Sequence, residues 1–270
     1  MRRSYGRLCH AIVPCSGREE EVGHRPRLYS PAVADLPIDL DADLADRLAQ
    51  CLDAEAKIPR ALEALGPLGH RDVVLLEGGR GLRARQLASL GARLIILEPA
   101  DHLEVVRPGL QDLIEGGHQL AAGDAHDLPG PENSVDAVVS LWSAFRGASE
   151  EAVAEADRVL RPEGRLLVLH DYGRDDVSRL RGGELPEYGA WSRRDGWFLR
   201  NGFKLRVIHC WWTWPDMEAA RSFLGDAFGR MGAELADSLR RPRLSYNVAI
   251  YHRARGATAG EQSLAAAGRA

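Results

Sequence analysis

The sequence predicts an α/β protein built on a doubly wound, mostly parallel sheet. Three observations predict it. Short runs rich in apolar residues recur at 73–76, 94–97, 135–142 and 165–170; the first, second and fourth read as buried strands and the third as a strand with a polar end. Helical periods separate most of them, so the order to residue 170 is β-α-β-α-β-β-α-β. A glycine turn, Gly78-Gly79-Arg80-Gly81, joins the first strand to the first helix.

The stretch 73–98 organises the rest. Val73-Val74-Leu75-Leu76 reads as a strand and Glu77 ends it. Gly78, Gly79 and Gly81 let the backbone turn sharply and approach a ligand. Leu82, Leu87 and Leu90 share one helical face, and Gly91 suits the helix end. Leu94-Ile95-Ile96-Leu97 then delivers Glu98 at a strand end. A unit of this kind holds ligands outside the carboxyl ends of its strands. Free helix N–H groups lie there, and an acid can accept from a ribose diol.

The chain has 270 residues, enough for one large α/β domain with additions. Its composition, 45% hydrophobic and 27% charged, is that of an ordinary globular protein. A formal charge of −4 gives no global electrostatic case for nucleic acid. Cys9, Cys15, Cys51 and Cys210 form no CxxC pair, which suits a reduced, cytoplasmic setting. No apolar run reaches membrane-spanning length, and no h-region precedes Pro14, so neither a membrane partner nor a signal peptide is expected.

Residues 1–40, with Pro14, Pro26, Pro31 and Pro37, read as an irregular extension. Cys9, His10, Cys15 and His24 match no common zinc spacing. Residues 41–68 read as a helical extension packed on the domain, capped by Asp41 or Asp43 and kinked or split at Pro59. The α/β domain is placed at 69–254. After Glu98 a helix breaks at Pro108-Gly109, and 118–122 is a modest strand leading to Gly123-Asp124-Ala125. Ser149 to Leu160 is helical, and Arg161-Pro162-Glu163-Gly164 turns into the next strand. A helix at 192–200, a strand at 204–212, a helix at 216–239 and an alternating strand at 244–252 suggest an edge with one antiparallel strand. Residues 255–270, rich in Ala and Gly, read as a mobile tail.

Over roughly residues 70–252 the chain resembles the class I S-adenosylmethionine-dependent methyltransferases. The glycine turn, Glu98, Gly123-Asp124-Ala125, Val135-Asp136-Ala137-Val138-Val139 and the stretch from Arg158 to Leu166 carry the resemblance in order. It implies a seven-stranded sheet with an antiparallel last strand, S-adenosylmethionine as cofactor and a small-molecule acceptor. By resemblance Gly79 and Gly81 line the methionine part of the cofactor, and Glu98 binds the ribose hydroxyls. Asp124 accepts from the adenine amino group with Ala125 beside the ring, and Ser140 to Trp142 floor the site. The turn matches in two registers. One makes Glu77 the family's strand-end acid, with Arg83 in place of the third glycine. The other puts Leu75 at the acid and Glu77 at the first glycine.

Two other readings compete. Gly79-x-Gly81-x-x-Ala84 with Glu98 also fits an NAD-binding fingerprint, though Glu77 would repel a pyrophosphate. A fold that keeps binding and has lost catalysis is the other. For chemistry, His170 is a candidate general base, Asp171 its orienting acid and Tyr172 a substrate contact, all at one strand end. Each also reads as packing or loop structure. Asp124 also reads as a turn aspartate. His209, Trp211 and Trp212 read as edge-strand packing or an aromatic cage. Arg174, Arg179, Arg181, Arg193 and Arg194 read as scattered surface charge or an anion-binding rim.

Overall fold

A computed structural model describes residues 38, 40–143, 149–181 and 186–258. The Cys9, His10, Cys15 and His24 quartet lies outside these residues, as do the rest of the N-terminal extension and the tail from 259. Seven strands form one sheet: β1 Asp72–Leu76, β2 Arg93–Glu98, β3 Gln119–Ala122, β4 Val135–Leu141, β5 Leu160–Asp171, β6 Lys204–Thr213 and β7 Arg243–Ala254. Their order is β3-β2-β1-β4-β5-β7-β6. β1 pairs in parallel with β2 and β4, β2 with β3, and β4 with β5. β7 runs antiparallel to both β5 and β6. This is the doubly wound sheet with an antiparallel last strand, and its direction of winding switches between β1 and β4.

Helices cover both faces, which is why the strands are apolar on both sides. On one face α3 Leu82–Ser89, the segments α4 Leu103–Val106 and α5 Gln111–Glu115, and α10 Met217–Ser238 bury Val73, Leu75, Ile96, Val139, Leu167 and Leu169. On the other, α6 Glu150–Val159 and α9 Trp197–Arg200 bury Val74, Leu76, Val138, Leu166 and Val168. Ser149 caps α6 by accepting from the Ala152 N–H at 3.0 Å.

Several elements depart from the sequence reading. The helical stretch expected from Asp41, kinked or split at Pro59, is two helices, α1 Ala42–Cys51 and α2 Lys57–Leu65. Asp41 does cap the start, accepting from Leu44 N at 3.0 Å. The break falls at Asp53–Ala56, before Pro59, because buried Asp53 accepts from the N–H groups of Lys57 and Ile58 at 2.9 and 2.7 Å. Pro59 then sits in the first turn of α2, where no intrahelical N–H is needed. The helix expected at 192–200 is α8 Pro186–Trp191 and the short α9, with Gly196 at its N-cap. The 161–164 turn lies within β5 as an irregularity in its pairing with β4. A short helix, α7 Asp176–Leu180, was not foreseen; Asp175 caps it. Glycine at 229, with φ 58° and ψ −141°, breaks α10 in its course.

Helix α1 ties two distant parts together. Its Asp46 accepts from Arg80 Nη2 in the glycine turn at 3.1 Å, while Arg47 donates to Asp226 and Ser222 of α10 at 2.8 and 3.0 Å. No described helix is long and apolar enough to cross a membrane.

Candidate active site

The carboxyl ends of β2, β1 and β4 meet at the switch point, where ligands of open α/β sheets bind. Glu98 joins them. Its side chain is buried, and Oε1 accepts from the Gly79 N–H at 2.7 Å. Its backbone carbonyl accepts from Gly123 N at 3.0 Å, and the Glu77 N–H donates to Leu97 O at 2.7 Å. One residue therefore fixes the glycine turn from β1 and the loop leaving β3. The turn cannot carry larger residues in its present packing. A Cβ on Gly78 would lie 2.6 Å from Ile96 Cγ2. Gly81 has φ +87°, and its Cβ would lie 2.7 Å from Leu110 Cδ2.

Two non-glycine residues adopt left-handed backbone at the ends of neighbouring strands: Glu77 and Trp142, each with φ 50°. Such conformations are disfavoured by about 1–2 kcal/mol per residue and gather at functional sites. The two strands pair in register, Leu76 beside Ser140. Ser140 is buried, its hydroxyl 2.7 Å from that of Ser143. Arg83, which one register of the turn puts at the third glycine, does not enter the turn. It is buried, its guanidinium 4.9 Å from the Trp142 ring and donating to Gln86 Oε1 at 2.6 Å. Arg80, within the turn, pairs with Asp46 at 3.1 Å.

Asp124 is exposed at the end of β3. Oδ1 accepts from His126 N at 2.7 Å, the geometry of a turn aspartate. His126 Nε2 lies 3.0 Å from Ser149 Oγ, which links this loop to the start of α6. Ala125 is buried against Leu97 and Leu128.

The three residues at the end of β5 are not brought into one cluster, because successive side chains of a strand point to opposite faces. His170 packs in the aromatic cluster, 4.9 Å from the Trp191 ring and 6.3 Å from Phe198. Asp171 lies on the other face at 1% exposure. Its Oδ1 accepts from Trp142 Nε1 at 2.8 Å and from the Tyr246 hydroxyl, and Oδ2 accepts from Arg181 Nη2. Burial, then the Asp171 charge, holds the Tyr246 phenol well above the ordinary tyrosine range, so the hydroxyl stays a donor. Tyr172 is half-buried, with the Arg174 guanidinium 5.6 Å from its ring.

The edge-strand aromatics also separate by face. Trp212 is in the core, while Trp211 is half-buried under the Arg243 guanidinium at 4.2 Å. His209 Nδ1 lies 2.8 Å from Asn247 Oδ1. Arg181 is the buried partner of Asp171, and Arg179 pairs with Asp176, so these two arginines form no common rim. Sequence reasoning missed Tyr246 and Arg181 as partners of Asp171. A buried tyrosine hydroxyl does announce that it needs an acceptor. The acceptor lies 75 positions away, and no local spacing points to it.

Residues 77–168 match the model of a methyltransferase domain family. An uncharacterised methyltransferase of Mycobacterium tuberculosis strain H37Rv is 32% identical over 139 residues, 51% of this chain and 53% of that protein. A ubiquinone/menaquinone biosynthesis C-methyltransferase of Pseudomonas savastanoi is 34% identical over 116 residues, 40% of this chain and 45% of its own. The matched stretch begins at the glycine turn and ends within β5, so it spans the carboxyl ends of β2, β3 and β4 and stops short of that of β5. Residues 77–168 are thus similar to a methyltransferase domain, and the strand order agrees with the fold that this resemblance implies. The chain spans about half the length of the curated relatives it matches.

Proposed function

We propose that the protein transfers a methyl group from S-adenosylmethionine to a small-molecule acceptor. The observation that carries this reading is Glu98, which braces the Gly79 amide at the switch point, within the stretch that matches the methyltransferase domain. The donor set suits the cofactor. Glu98 is the acid for a ribose diol. Asp124 is exposed, and its Oδ2 faces no partner in the turn that Oδ1 closes, so it suits an adenine amino group. Glu77, Gly78, Gly79 and Gly81 form the backbone approach to the methionine end, and Ala125 and Ser140 border the site.

S-adenosylmethionine supplies a sulfonium methyl that an O, N or C nucleophile attacks in line. The chain's own contribution is orientation and the exclusion of water. A general base at the end of β5 is not part of this reading. His170 is packed among aromatic rings and the Asp171 oxygens are engaged, so both serve the packing of the fold in this reading. Tyr172, half-buried, remains the substrate contact of the three. An acceptor that is already acidic, or that carries a lone pair, needs no protein base. The C-methyltransferase relatives make carbon one candidate nucleophile.

S-adenosylhomocysteine tests the reading. It should raise the melting temperature and give saturable heat on titration, while NAD(H) gives neither. A response to NAD(H) alone would replace this reading with the dinucleotide one. A second reading, a binding protein without catalysis, is favoured by the departure of the glycine turn from the family's pattern, at Arg83 in one register and Glu77 in the other, and by the depth of Glu98. Cofactor binding with no methylated product across a panel of acceptors would select it.

A further inference from the structure

A cavity separate from the switch point opens between α1, the end of β6 and the start of α10. It measures about 320 Å³ and is lined by Cys51, Thr213, Trp214, Ala219, Phe223 and Arg47, whose guanidinium lies over the Phe223 ring at 5.5 Å from its centroid. That volume suits one small ring-containing molecule. The Trp214 and Phe223 rings, 5.7 Å apart, form an aromatic wall, and both residues are buried. Burial pushes the Cys51 thiol up to about 12, so the floor stays neutral and unreactive near pH 7.

Two further observations define what would bind. Trp214 is 5% exposed, yet its indole N–H has no acceptor among the described residues. A buried donor of this kind calls for an acceptor from a ligand or water. The cation in the lining is already matched. Arg47 pairs with Asp226 at 2.8 Å, lies 3.6 Å from Asp43 and donates to Ser222. Two carboxylates against one guanidinium leave no excess positive charge for an anion.

We propose that this cavity is a second binding site, for a small uncharged aromatic molecule bearing a carbonyl or similar hydrogen-bond acceptor. The ring packs on Trp214 and Phe223, and the acceptor takes the Trp214 indole N–H after a small side-chain adjustment. The site is independent of methyl transfer, since its residues belong to none of the strand ends that would hold the cofactor. Trp212 and Tyr246 stand between it and Trp142, with ring centroids 6.5, 5.8 and 6.5 Å apart along the path Trp214–Trp212–Tyr246–Trp142.

The full chain can be titrated into 4′-fluoroacetophenone and followed by fluorine NMR, with 4-fluoroethylbenzene and 4-fluorobenzoate as controls. The ketone should bind saturably. The hydrocarbon, which lacks the acceptor, and the benzoate, which carries charge, should each bind at least about fivefold more weakly. Ala219→Phe, at a half-buried helix position lining the cavity, should abolish binding. Trp214→Phe, which keeps the ring and removes the donor, should weaken it about fivefold. Saturating S-adenosylhomocysteine should leave the ketone bound. Absence of saturable ketone binding to the wild type would overturn the proposal. So would unchanged affinity in both variants, benzoate binding more tightly than the ketone, or displacement by S-adenosylhomocysteine. Circular dichroism of each variant shows whether it folds, and Trp214→Phe carries the test if Ala219→Phe does not.

Discussion

Glu98 and Asp171 are both buried carboxylates at the carboxyl ends of strands, and they differ in what surrounds them. Glu98 braces backbone: its oxygen takes the amide of a glycine turn beside the switch point. Asp171 is enclosed by side chains, an indole, a phenol and a guanidinium, all themselves buried. The first arrangement leaves a ligand to be met by the strand ends around it. The second is complete within the protein. A strand-end acid is therefore not a site by position alone. Its neighbours decide whether it serves a ligand or the fold.

The contrast breaks most readily at Asp171. Asp171→Asn keeps an acceptor for Trp142 and Tyr246 but removes the charge facing Arg181, and should destabilise the fold by about 3–5 kcal/mol. Urea unfolding measures it, and a loss below about 1 kcal/mol would mean the cluster is not a structural hub. At Glu98 the expected effect moves from stability to binding. Glu98→Gln retains an oxygen for the Gly79 amide and should weaken S-adenosylhomocysteine by roughly 1–3 kcal/mol. Unchanged affinity by calorimetry would remove Glu98 from the cofactor contacts.

The pH dependence of stability sharpens the Asp171 side. Tyr246 is an acid whose folded pKa is raised, chiefly by burial, so the unfolded chain loses its proton first, near its ordinary value of 10.0. Its contribution is intact below pH 10 and falls as pH rises, by about 1.4 kcal/mol per pH unit. Tyr251, raised by burial, acts in the same direction. Tyr246→Phe should reduce the alkaline slope by one proton's worth; an equal slope would show that Tyr246 ionises in the folded chain.

Smaller effects belong to the open side of the comparison. Asp124→Ala should weaken cofactor binding by about 1 kcal/mol, since the carboxylate is exposed, and should leave the fold intact. If affinity holds, Asp124 only closes its own turn. Glu77→Gly relieves a left-handed residue and should stabilise the chain by up to about 1 kcal/mol, read from urea unfolding without ligand. Titration of the same variant separates the two registers of the turn. Weaker cofactor binding assigns Glu77 to the ligand ammonium, whereas tighter binding makes it an obstacle at a glycine position.

The sheet was legible because its evidence is local and periodic. The strands at 73–76, 94–97 and 165–170 are apolar runs, and both faces of 73–76 are buried as such runs require, as is 94–97 apart from half-buried Ile95. Helix boundaries were less so. Pro59 looked like a break, whereas the break was made by Asp53, a cap whose two bonds reach forward over the turn. The switch-point residues could be named from strand ends and glycines alone. The Asp171 cluster could not, since Trp142, Arg181 and Tyr246 come from three separate parts of the chain. Strand alternation alone does separate His170 from Asp171, a geometric constraint available before any contact is known.

The turn between α1 and α2 has a consequence for association between molecules. β6 is the outermost strand of its side, and an open strand edge offers amides and carbonyls to any other extended chain. Here Leu52 bridges to Trp212, and Asp53 N donates to Trp211 O at 3.2 Å, so part of that edge is already taken. Exposed Lys204 and Arg206 place like charges farther along the same strand. At the opposite margin β3 is four residues long. A protein guarded this way at both margins resists growth by strand addition, and trimming the chain back through Asp53 would remove one guard together with the core residues that α1 lays against β6.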